Sequence, residues 1–278
     1  MVAVVELTEG PGTGVAYAKA ALGLLRRPGD TLPDVELVHR GVTVSREHLA
    51  RYDRVCGLRL TDALPATYPH VLAFPLAMRL MSAAAFPLPM IGLVHVSNLI
   101  TVRRPIDAGC RLDLTVRAAG LRDHPRGRQF DMVATASVDG EEVWRGVSTY
   151  LRKESSPRPA AGGDPAPVPT GGAVWRLPAR TGPDYAAVSG DRNPIHTSRL
   201  GAKVFGFPRQ IAHGMWTKAR CLAALEGRLP SAYTVEVAFK QPILLPSTVR
   251  FTSSAVDGGW TFAVTSKRPH LTGTVSAA

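Results

Sequence analysis

Two long apolar stretches and a series of alternating ones set the pattern of this chain. From about His70 to Ala85 apolar side chains crowd every turn, and a second apolar run covers about Ile211 to Arg228. Both predict long buried helices. Each follows an aromatic–proline pair, Tyr68-Pro69 or Phe207-Pro208, of the kind that opens a helix. Period-two alternation in Arg111 to Arg117 and in Thr248 to Ser254 predicts half-buried strands. Asp139-Gly140 and Asp257-Gly258 predict hairpin turns. The most apolar stretch, Val71 to Val96, contains Arg79 and is broken by Pro75, Pro87 and Pro89. That argues for a buried helix running into a strand, not for a span through lipid.

These elements occur twice, in the same order. Tyr52-Asp-Arg-Val-Cys-Gly57 in the first half answers Tyr185-Ala-Ala-Val-Ser-Gly190 in the second. Ser45 and Thr181 are the expected N-caps of these short helices, and the two glycines their C-terminal stops. The long helix follows, then a strand closed by a basic residue and a Pro-Ile pair (ITVRRPI, VEVAFKQPI), then further strands. The two Asp-Gly turns are expected at matching places, and Phe74-Pro75 is expected opposite His213-Gly214. Each half therefore predicts an α+β layer, one strand and then about four antiparallel strands wrapped around a single long helix. Joined edge to edge, two such units form a double hotdog. Residues 155–172, rich in Pro, Gly and Ala, have almost nothing to bury and predict a linker. It separates a first unit, 1–154, from a second, 173–278.

Composition narrows the function less than the pattern does. Lys and Arg number 33 against 22 Asp and Glu, a net charge of +11 that favours anionic partners. Basic residues are dispersed and are not interleaved with aromatics, so nucleic acid is not the expected partner. The three cysteines, Cys56, Cys110 and Cys221, contain no CxxC pair and fit buried thiols in a reducing compartment. Glu6 and Glu9 precede any apolar run, which argues against a signal peptide and for a cytoplasmic protein without stable membrane insertion.

Polar residues concentrate between Tyr185 and Met215. Asn193 before Pro194 is an N-cap with proline in the first helical position, so a short helix begins there. His196 then falls in its first turn, near the loop that carries Asp191. A carboxylate and an imidazole held side by side can share a water and move two protons. Further on, His213-Gly214 falls early in the second long helix. First-turn amides have no partner inside their helix and lie at its positive end. Without a side chain, Gly214 lets a carbonyl oxygen approach its N–H, as an oxyanion hole requires. In the first half, Leu58 stands where Asp191 would, no histidine matches His196, and Pro75 has no N–H to donate.

The string GDRNPIH, followed by FGFP and HGM, closely resembles the motif of the MaoC-like (R)-specific enoyl-CoA hydratases. The layout of the whole chain is similar to that of the actinobacterial double-hotdog 3-hydroxyacyl-thioester dehydratases, type X among them. The resemblance implies reversible interconversion of (3R)-hydroxyacyl and trans-2-enoyl thioesters, presented as acyl-CoA or on acyl carrier protein. It makes Asp191 and His196 the catalytic pair, Gly214 the oxyanion donor and Asn193 a positioning residue. No cofactor is expected, and a homodimer is in keeping with it. A metal site from Asp191, His196 and His213 has the composition but not the ligand spacing of zinc sites. Lys240, Arg209 and Lys218 are candidates for the substrate's phosphates, because they lie near the motif or on the next strand. The catalytically bare first unit is expected to make room for the acyl tail. The rival readings are a hotdog acyl-CoA thioesterase and a non-catalytic acyl-binding module.

Overall fold

A computed structural model describes residues 3–7, 29–90, 92–153 and 172–278. Nearly all of the expected linker lies outside these residues. The first half contains β1 (Ala3–Glu6), β2 (Val35–Val42), α1 (Arg46–Cys56), α2 (Tyr68–Met81), β3 (Leu93–Val102), β4 (Leu112–His124), β5 (Gly127–Val138) and β6 (Glu141–Lys153). The second contains β7 (Ala173–Leu177), α3 (Thr181–Ser189), α4 (Pro194–Thr197), α5 (Arg199–Val204), α6 (Gly214–Ala224), β8 (Tyr233–Phe239), β9 (Ser247–Val256), β10 (Gly259–Thr265) and β11 (Pro269–Ala277). Among the described residues, the strands form one eleven-stranded sheet in the order β1-β2-β4-β5-β6-β3-β8-β11-β10-β9-β7. Apart from the parallel β1–β2 pair, every pairing is antiparallel.

That order is one unit written twice. Reading outward from the seam, β3-β6-β5-β4-β2 repeats as β8-β11-β10-β9-β7. The seam is the antiparallel β3–β8 pair, in which Asn98 faces Val237 and Ile100 faces Val235. Pairing there removes an exposed edge from each unit. One apolar cluster runs from α2 through the seam to α6, so the two units share a core. The fold is α+β, a double hotdog, as the repeats predict. No helix among the described residues is long and apolar enough to cross a membrane.

Local signals hold where they are backbone signals. Ser45 caps α1 by accepting the His48 N–H, and Gly57 and Gly190 end α1 and α3 in the left-handed conformation, at φ 71° and 75°. Four expectations need correcting. Arg180, not Thr181, is the N-cap of α3. Phe207-Pro208 opens no helix: Ile211 bridges to Leu244 and the Ala212 N–H donates to Ile243 O, so the chain stays extended until α6 starts at Gly214. The Asp-Gly turns do not match. Asp139-Gly140 joins β5 to β6, whereas Asp257-Gly258 joins β9 to β10, one hairpin earlier in its unit. Turn chemistry says that the chain reverses, not which strands it joins. Finally, α2 begins at Tyr68 with Pro75 in its interior, so the counterpart of His213-Gly214 is Thr67-Tyr68.

The half-to-half packing carries a buried charge. Asp53 on α1 is 2 % exposed, and neither carboxylate oxygen has a hydrogen-bond partner. Burial, with the charge of Glu226 behind it, raises its pKa to about 6. A carboxyl with a raised folded pKa favours folding fully below its unfolded pKa and loses that advantage as pH rises through the folded value. Asp53→Asn is therefore expected to stabilise the protein by up to about 3 kcal/mol at pH 7, and by little at pH 3. Thermal melts of both proteins at the two pH values check this.

Candidate active site

The loop between α3 and α6 places the polar residues by local hydrogen bonds. Gly190 turns the chain out of α3, and the Asn193 N–H donates to Asp191 Oδ1 at 3.3 Å. Asn193 Oδ1 in turn accepts the Ile195 N–H, capping α4. His196 is thereby fixed on a single turn of helix, two residues past the cap's proline. The approach of α3 to α4 is close: a Cβ on Gly182 would lie 2.1 Å from His196 O. Such contact leaves no room for a side chain, so this glycine holds the histidine's backbone in place.

Hydrogen bonding assigns the tautomers. His196 Nδ1 lies 2.8 Å from Ile211 O. A carbonyl only accepts, so Nδ1 carries the proton and Nε2 is left bare. His213 Nε2 lies 3.0 Å from the main-chain oxygen of Asp191 and 3.8 Å from its Oδ2. This bond ties the Asp191 loop to the N-cap of α6, which makes His213 a structural residue. Burial lowers the pKa of both rings, with the Asp191 charge acting against it; that of His213 falls to about 3. Both imidazoles are neutral at physiological pH. Asp191 keeps 29 % of its side chain exposed, so it faces a space reachable from solvent.

Ligating atoms of Asp191, His196 and His213 all lie within 4.8 Å of one another. The two rings, however, stack at 3.7 Å between centroids and 25° between planes. Imidazole lone pairs lie in the ring plane, so two near-parallel rings do not converge on one ion as a tetrahedral site needs. The trio suits proton transfer better than metal binding.

Gly214 is the first residue of α6, and among the described residues no partner is recorded for its N–H. A Cβ on Gly214 would lie 2.8–3.0 Å from the ring of Phe239. The position therefore excludes side chains and leaves its amide open. In the first half the corresponding N–H, that of Tyr68, already donates to Pro65 O at 2.8 Å. The first half thus has no free donor there, although not because of Pro75.

Comparison with known proteins agrees with this geometry. Residues 180–273 match the family model described as MaoC like domain. The chain is 40% identical, over 91% of its length and 96% of the relative's, to 3-hydroxyacyl-thioester dehydratase X of Mycobacterium tuberculosis. The chain belongs to the MaoC-like dehydratase family. The crystal structure of HtdX from Mycobacterium tuberculosis superposes with a TM-score of 0.78 at 38% identity, covering 87% of this chain and all of that one. A peroxisomal enoyl-CoA hydratase 2 of Arabidopsis thaliana is 27% identical over 48% of each chain.

Within this MaoC-like frame, one expected phosphate ligand is misplaced. Lys218 is fully buried, one turn beyond Gly214 on α6. Its Nζ donates to Asn98 Oδ1 at 2.6 Å, Val235 O at 3.0 Å and Asn98 O at 3.1 Å, so all three ammonium hydrogens are used at the seam. It cannot reach a phosphate in solvent. Proximity in sequence suggested a surface charge, but the helical period turns position 218 towards β3 and β8. Lys218→Met would orphan these acceptors and is expected to cost about 2 kcal/mol or more, read as a lower Tm. Arg209 is half-buried and donates to Pro246 O, while Lys240 is exposed.

The sequence reading missed the residues that the first half brings to the site. The ring of His95 on β3 lies 4.9 Å from that of Phe239, 4.7 Å from Tyr150 on β6 and 6.3 Å from His70 on α2. The charge of Asp191 acts on His70, His95 and Tyr150, so all three lie within its electrostatic reach. No motif marks them. They come from three separate elements, brought towards the second half by the β3–β8 seam and by the packing of α1 and α2 on α3.

Proposed function

We propose that this chain is a hydro-lyase that interconverts 3-hydroxyacyl and trans-2-enoyl thioesters with release or addition of water. The observation that carries this reading is the meeting, on one loop, of Asp191, a neutral His196 with a bare Nε2, and the open N–H of Gly214. In dehydration, the Gly214 N–H donates to the thioester oxygen and spreads the charge that develops when Cα loses its proton. Between them, His196 and Asp191 accept the Cα proton and supply one to the departing 3-hydroxyl. Water leaves and the enoyl thioester remains. Hydration reverses these steps. Both residues approach from one side, which implies syn geometry.

Finer features belong to the same proposal. The hydroxyl is in the 3R configuration, as the family resemblance implies. The substrate is carried by coenzyme A or by an acyl carrier protein, both anionic and suited to the excess of basic residues. Arg209 and Lys240 remain the candidate contacts for its phosphates. The chain divides at the Pro/Gly/Ala-rich segment, and the first unit accommodates the acyl tail. Pairing into homodimers and a cytoplasmic location complete the reading. The hydratase is favoured over the thioesterase because the loop offers two proton-transfer groups and an oxyanion donor around one point.

The test is loss of the 2-enoyl thioester absorbance when purified protein is added to crotonyl-CoA and to trans-2-octenoyl-CoA, with a thiol reagent in parallel. Absorbance loss without thiol release is expected. Thiol release without hydration would establish the thioesterase instead.

A further inference from the structure

The first half carries a polar group into the site that the acyl-tail role does not use. His95 lies on β3 just before a bulge: it pairs with Tyr150, and Ser97 pairs with Thr149, leaving Val96 as an extra residue. Beyond the bulge, Asn98 and Ile100 face the core, as their burial shows. Strict alternation would send Val96 to that face and His95 to the opposite one. The extra residue shifts the alternation by one and turns His95 inward. Bulges of this kind re-aim a side chain and recur beside active sites.

Once inward, the ring is held by its neighbours. It stacks on Tyr150 with 22° between planes and meets Phe239 at 4.9 Å. Phe239 is also the ring that fills the space over Gly214, so one aromatic side chain borders both His95 and the glycine that starts α6. Its Nε2 is buried and has no hydrogen-bond partner. The ring's other polar contact is with the backbone of Ser97. A buried polar atom without a partner is costly, and it calls for an explanation.

We propose that His95 is a positioning residue supplied by the first half, whose Nε2 accepts a hydrogen bond from the 3-hydroxyl of the bound substrate. In the hydration direction it accepts the same bond from the attacking water. This rests on the function proposed above and adds that the first half directs the reacting C–O bond as well as holding the tail. Burial keeps the imidazole neutral, with its pKa lowered to about 3, so it acts as an acceptor and not as a charge. Nε2 is unpaired without substrate because its partner is the substrate's own hydroxyl.

The experiment compares two ligands that differ only in that hydroxyl. In an Asp191→Asn background, which slows turnover about 10²–10⁴-fold, calorimetry measures the Kd of (3R)-hydroxyoctanoyl-CoA and of octanoyl-CoA. The hydroxylated ligand is expected to bind about 3–10-fold more tightly, as one buried hydrogen bond allows. Adding His95→Phe, which keeps the stack on Tyr150, should narrow the difference, whereas His95→Gln should retain much of it. Should the Phe protein fail to fold, His95→Asn, too short to reach, should narrow the difference as well. The fold-only alternative would move Tm and leave the ratio of the two Kd values unchanged. An unchanged ratio, in a protein whose wild type hydrates trans-2-octenoyl-CoA, overturns this inference alone. A wild type without that hydration overturns the proposed function and this inference together.

Discussion

Asp191→Asn and His196→Ala proteins are expected to fold normally and to hydrate enoyl thioesters about 10²–10⁴-fold more slowly, the usual worth of a positioned acid or base. The argument is geometric. His196 Nδ1 is committed to Ile211 O, so the only ring atom that can accept a proton is Nε2, and Asp191 lies beside it. Asparagine keeps an oxygen for the Asn193 N–H, so the loop's turn should survive the change at 191. Alanine at 196 removes one bond to Ile211 O but leaves the α4 backbone and its Asn193 cap intact. Burial lowers the His196 pKa. A base is lost only when protonated, so in the wild type the acid limb of kcat/KM should fall below pH 6.5, the ordinary histidine value. Rates of crotonyl-CoA and octenoyl-CoA hydration across pH check both points. Near-normal turnover in either folded variant would remove that residue from the mechanism.

The second large effect is expected at Gly214. Replacing it by proline deletes the N–H, and loss of one oxyanion donor typically costs roughly 2.7–4 kcal/mol of transition-state stabilisation, about 10²–10³ in kcat. Position 214 is the first residue of α6, where proline is well tolerated, so the helix should form. Any substituent there also presses on Phe239. Gly214→Ala separates the two effects, because it crowds the ring but keeps the N–H. Its loss of kcat should be smaller than that of Gly214→Pro. Circular dichroism establishes folding, and a folded Gly214→Pro protein with ordinary turnover would place carbonyl polarisation elsewhere. The first half should show no compensating activity, since the Tyr68 N–H is engaged by Pro65 O.

Much of this protein was legible along the chain. Asn193-Pro194, Gly57, Gly190 and the period of the strands act through local backbone preferences, which need no tertiary partner. For that reason the repeat, the α+β class and the loop that carries Asp191 and His196 could all be read from residues. Tertiary structure decided what depends on which surfaces meet. The helical period turned Lys218 into the β3–β8 seam and away from solvent, because three acceptors wait there for its three hydrogens. The register of α2 was set by packing on β2, β4 and β5, so Pro75 fell inside it and Tyr68, not Pro75, became the counterpart of the helix start. A single extra residue in β3 reversed the facing of His95, which alternation alone would have sent outward. Local chemistry thus determined the catalytic loop, and edge pairing of the two units determined what stands across from it.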